Sequence, residues 1–101
     1  MPNTSKPLFR GAATTNTATV LYTVPASTTA VITSIVVSNT AVSAGTFTLA
    51  FNGIPFATAI AVGGNDSTVI DIKQSLLTTQ TITGGGSATT INFHISGVEI
   101  V

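Results

Sequence analysis

The chain has 101 residues, one domain's worth, of which 44% are hydrophobic and only 6% charged, three Lys plus Arg against three Asp plus Glu; an ordinary soluble domain carries roughly 25% charge. Three cations, Lys6, Arg10 and Lys73, are too few for the basic stripe that nucleic-acid binding needs, and the lack of cysteine excludes a disulfide framework, a thiolate nucleophile and a Cys-based zinc site. A small domain with so little charge has apolar surface left over, which predicts that other subunits cover it.

The opening residues, MPNTSKPLFRGAATTN, hold two prolines and a glycine and show no sustained period, so residues 1–16 are read as an extended arm outside the core, with the folded domain spanning 17–101. Lys6, Leu8, Phe9 and Arg10 are the candidate partner-binding residues of that arm, because a ring contributes apolar area and a guanidinium a fork of donors. No apolar run follows the basic residues, so no secretory signal is expected. The longest nearly apolar stretch, residues 30–37, is interrupted by Thr33 and Ser34 and falls far short of a membrane span.

After the arm come short segments rich in Val, Ile, Thr and Phe, separated by Gly, Pro, Asn and Ser, the pattern of an all-β domain. Residues 19–24 stop at Pro25, which has no N–H for a ladder. Residues 29–39 are apolar on both faces, Ala30, Ile32 and Val36 on one and Val31, Ile35 and Val37 on the other, as a covered central strand would be. Residues 46–52 alternate, with Phe47, Leu49 and Phe51 directed inward. Asn52-Gly53 signals a hairpin, and Pro55 just beyond it requires an edge or a strand start.

Residues 56–62 lead to a turn at Gly63-Gly64-Asn65-Asp66, and residues 68–73 alternate again. Residues 74–77 read as a connection of at most one helical turn. Residues 78–83 form the next strand, and Gly84-Gly85-Gly86-Ser87 is read as a mobile turn. In residues 89–96, Ile91, Phe93 and Ile95 point inward to meet the 46–52 strand, while Asn92 and His94 point outward; residues 98–101 continue that strand or form a last one. Seven or eight strands predict an antiparallel β-sandwich, jelly-roll or immunoglobulin-like in connectivity.

Acid–base chemistry needs ionisable groups brought together, and Asp66, Asp71, His94 and Glu99 fall on different predicted strands and turns with no motif around them. Asn65-Asp66-Ser67 offers a single carboxylate to a cation, a weak set. The glycine turns lack the lysine and helix start of a phosphate cradle. Thr79, Thr81 and Thr83 would put three hydroxyls on one strand face, but threonine is a good strand residue and no fixed-period repeat extends the array. The expectation is a protein without catalysis, cofactor or metal.

Three stretches carry a family resemblance: Val20-Leu21-Tyr22-Thr23-Val24-Pro25-Ala26, then Thr28-Thr29-Ala30-Val31-Ile32, then Ser34-Ile35-Val36-Val37-Ser38-Asn39. With Gln80-Thr81-Ile82-Thr83-Gly84 and His94-Ile95-Ser96-Gly97-Val98-Glu99, they make most of the chain resemble a β module of tailed-phage virion proteins. Such modules occur in small head decoration (cement) proteins and in tail or neck fibre proteins, commonly as trimers. The resemblance implies a structural, homo-oligomeric virion component whose other partner is the major capsid protein, on the outer surface of the capsid. The alternative it leaves is a tail or neck module that binds a host glycan or protein receptor. With one Tyr and five Phe, most of them assigned to core or arm, the chain has little aromatic surface for a receptor pocket. An arm and a single short domain are expected of a whole decoration subunit rather than of a fibre fragment.

Overall fold

Strand-forming residues decide most of the architecture: β-branched and aromatic side chains dominate the central strands, and Gly, Pro, Asn and Ser mark most of the joints. A computed structural model describes residues 3–101, with strands β1 (Asn3–Ala12), β2 (Val20–Thr23), β3 (Thr29–Asn39), β4 (Gly45–Phe51), β5 (Ile54–Val62), β6 (Asp66–Leu76), β7 (Thr81–Gly86) and β8 (Ile91–Ile100). They form two four-stranded antiparallel sheets, ordered β1-β8-β3-β6 and β2-β7-β4-β5, which face each other as a sandwich. The first strand pairs with the eighth, the second with the seventh, the third with the sixth and the fourth with the fifth.

Between the sheets lie the fully buried side chains, chief among them Phe47 and Leu49 of β4, Ile32, Ile35 and Val37 of β3, Ile82 of β7, and Ile91, Phe93 and Ile95 of β8. Phe47 and Phe93 meet edge to face, with ring centroids 6.2 Å apart and planes at 76°, the arrangement that ring quadrupoles favour. The expected facing of the 46–52 and 89–96 strands is therefore present, except that Phe51 is only partly buried. Asn52 and Gly53, with φ of 51° and 78°, make the two-residue turn between β4 and β5, the left-handed pair a type I′ hairpin requires. Pro55 lies on β5, an edge strand.

The strict alternation expected for β3 fails at one point. Ile32 pairs with Gly97 and Ser34 with Ser96, so Thr33 is an extra residue on β3, and its hydroxyl donates to the Ser96 carbonyl at 3.3 Å. This β-bulge moves the buried set from Ala30 and Ile32 to Ile35, Val37 and Asn39, leaving Val31 and Val36 together on the outer face.

Three further expectations are corrected. Residues 3–12 are not an arm outside the sandwich: β1 pairs with β8 along its length, and Leu8 and Ala13 are buried. The boundary at residue 17 therefore falls inside the packed unit, because an edge strand interrupted by Pro and Gly still closes a sheet when one side chain reaches the core. Gly84-Gly85-Gly86 is not a mobile turn but the buried end of β7, paired with β4. A Cβ on Gly85 would stand 2.5 Å from the Asn16 carbonyl oxygen, so glycine admits the 14–19 segment against the sheet. Residues 74–76 are not a connection, since β6 runs on to Leu76, whose side chain is buried. The turn follows at residues 77–80, with Thr79 at φ 71° and the Gln80 amide donating to the Leu77 carbonyl.

Candidate assembly surface

The sandwich has two lateral sides, and their chemistry differs. On one, the edge strands β1 and β2 approach each other; on the other, β5 and β6 do.

Glu99 closes the β1/β2 side. Its register opposite Ala30 turns it toward the sandwich interior, where Tyr22 of the opposite sheet donates its hydroxyl to Oε2 at 2.5 Å and Lys6 of β1 approaches Oε1 at 3.3 Å. The Glu99 side chain is 12% exposed and that of Lys6 43%. The phenol's hydrogen bond, with a smaller contribution from the Lys6 ammonium, outweighs desolvation and holds the Glu99 carboxyl below the usual carboxylate range. Burial, together with that same carboxylate, raises the Tyr22 hydroxyl above its ordinary value.

The triad ties β1, β8 and β2 together across the gap between the sheets. A carboxyl whose folded pKa is lowered contributes stability above its unfolded value of about 4.3, and this is lost as pH falls through the lower folded value. Tyr22→Phe should therefore cost about 1.5 kcal/mol near neutrality. Denaturant melts at neutral pH and at a pH low enough to protonate the folded carboxyl should show that difference shrinking at the lower one. An equal loss at both pH values would mean that the phenol serves only as packing.

The β5/β6 side is open and apolar. Phe51, Ile54, Pro55, Phe56, Ile72 and Gln74 line a groove of about 220 Å³ with no charged group in its wall. The Phe51 and Phe56 rings stack with centroids 4.4 Å apart. Ile54, Phe56 and Ile60, all on β5, are 70%, 40% and 41% exposed. The β4–β5 register breaks twice, between Phe47 and Leu49 and between Leu49 and Ala50, with Ala59 at φ 50° in the first break, and along this irregular edge Ala57 and Val62 are buried while these three are exposed. Sequence reading passed over this strand, although large apolar residues flanking a proline that demands an edge were a usable signal.

The four candidate residues of the supposed arm separate. Leu8 belongs to the core, Phe9 is half-buried against it, Lys6 is held by Glu99, and Arg10 is exposed on the outer face opposite His94. Among the described residues, no three of His, Asp and Glu stand close enough to hold a metal ion. Asp66 accepts the Ser67 amide and is the sole carboxylate of a shallow polar hollow formed with Ser38, Asn39, Thr40 and Asn65. Thr79 lies in a turn, so only Thr81 and Thr83 share a strand face, with Thr23 opposite Thr81.

No family model matches the chain, and no curated protein matches it closely enough to count as a relative.

Proposed function

We propose that this protein is a non-enzymatic structural component of a tailed-phage virion: a jelly-roll decoration, or cement, subunit that associates with itself as a trimer and seats on the outer surface of the head over the major capsid protein. The observation that carries this reading is the apolar groove on the β5/β6 side, with the exposed apolar residues of β5 beside it. A chain with three cations and three anions leaves Ile54, Phe56 and Ile60 exposed along one strand, an arrangement suited to burial against protein. The nested pairing of first with eighth, second with seventh, third with sixth and fourth with fifth strands supports the jelly-roll reading. The resemblance of residues 20–39 and 80–99 to virion modules supplies the phage.

In this role the protein bridges neighbouring capsomers through many weak contacts repeated by symmetry, so that the shell resists internal pressure. At micromolar concentration, light scattering should give the mass of an oligomer; a stable monomer would remove the self-association from this reading. In a whole-particle reconstruction the chain should account for density on the outside of the head. Density confined to the tail would replace the cement role with that of a tail module.

A further inference from the structure

We propose that the subunits join head to tail, the β1/β2 side of one copy against the β5/β6 side of the next, with Arg10 of the first beside Asp71 of the second and Val20 of the first against Pro55 of the second. The inference rests on the self-association proposed above and names its contact.

The two sides complement each other in charge. Among the described residues β1 carries Lys6 and Arg10, and since Lys6 is held within its own subunit by Glu99, Arg10 is the side chain among these that offers its charge to a neighbour. β6 carries exposed Asp66 and Asp71 with Lys73.

Register within one subunit shows where these groups would meet. In the first sheet, Arg10, His94, Val36 and Val69 form one cross-strand row, and Pro7, Ser96, Ser34 and Asp71 the next, both on the outer face. Copies placed side by side without a shift along the strands set Arg10 opposite Val69 of the neighbour and diagonal to its Asp71. Diagonal neighbours lie roughly 7–8 Å apart, within reach of an arginine.

In the second sheet the same placement brings apolar groups together. Val20, Thr83, Ala50 and Pro55 form one row. The same unshifted placement sets Val20, 56% exposed, against the neighbour's Pro55, on the outer face that Thr83 and Ala50 share. One placement thus joins an exposed valine to a proline on one sheet and an arginine to a carboxylate on the other.

Because unlike sides meet, the contact is heterologous and closes into a ring when the rotation allows. A two-fold contact of β6 with itself would instead set Asp71 against Lys73, but β6 departs from regular pairing between Asp71 and Gln74, where such a ladder would be centred. All four edge strands carry a register shift, which interrupts backbone pairing along them, while the regular runs 9–12 of β1 and 66–71 of β6 keep strand spacing where Arg10 and Asp71 meet.

Sedimentation equilibrium of the full chain tests this with Arg10→Asp, Asp71→Arg, the two combined, and Val20→Ser, with circular dichroism melts as the control for folding. Each single charge reversal should weaken self-association about tenfold or more, since like charges then face each other, and the double variant should recover most of the loss. Val20→Ser should weaken it while leaving unchanged the melting of the dissociated chain at low concentration. A wild-type monomer would sink both this contact and the self-association beneath it. An oligomer indifferent to Arg10→Asp but weakened by Asp71→Arg would overturn the head-to-tail contact alone in favour of the two-fold. One indifferent to all four would place the contact elsewhere, and variants that lose only capsid binding would assign these sides to the shell.

Discussion

A chain that starts at Ala13 is expected to lose the cooperative unfolding transition of the full protein. Removing β1 strips the first sheet of an edge strand paired from Asn3 to Ala12 with β8. It also withdraws Leu8 from the core and Phe9 from its margin. Burial of a leucine contributes roughly 1.5–3 kcal/mol and a half-buried ring adds to that. β8, which supplies Ile91, Phe93 and Ile95 to the interior, would become the new edge, and Glu99 would lose Lys6. The sum, about 5 kcal/mol or more, is comparable to the whole stability of a small domain. Circular dichroism with a thermal ramp reads the outcome directly. A truncated chain that keeps its β spectrum and melts within a few degrees of the full protein would show that β1 docks on a sandwich complete without it.

How far this fold could be read beforehand depended on whether local pattern and tertiary context agreed. Where one face is buried and one wet, as in residues 46–51 and 91–96, alternation named the inward residues correctly, and Asn52-Gly53 named its turn, because backbone conformation there is a local matter. Thr33 defeated the same logic: nothing in residues 29–39 marks which residue is extra, since a bulge is defined by the partner strands. The glycines at 84–86 misled for a related reason. Glycine marks a mobile loop when nothing is near and a strand interior when another backbone passes within contact distance. Only the 14–19 segment and the side chains of Leu49 and Ile91 decide between these.

The candidate site was legible in kind but not in place. Low charge pointed to a covered surface, yet attention fell on Leu8 and Phe9, which pack inward, and passed over Ile54, Phe56 and Ile60 on β5. Those three lie on an edge strand whose pairing breaks twice, with Ala59 in a left-handed backbone that alanine seldom takes, and none of this is marked in the local pattern.

Phe93→Ala is expected to be the most damaging single substitution in the interior. The side chain is fully buried on a central strand, edge to face with Phe47 and between Ile91 and Ile95 on the same face. Truncation leaves a ring-sized cavity that the facing sheets cannot close without disturbing both, at a cost of about 3–5 kcal/mol. Its neighbour His94 sits on the outer face, half-buried between Arg10 and Val36, and His94→Ala should cost about 0.5 kcal/mol, as changes on a wet face usually do. A slip of one residue in β8 would exchange the two environments, so the pair of measurements reads the register of the strand itself. Denaturant unfolding of both variants, carried out at matched protein concentration because dissociation of an oligomer accompanies unfolding, should show the Phe93→Ala midpoint far below that of His94→Ala. The reverse order would mean that β8 presents its other face to the core.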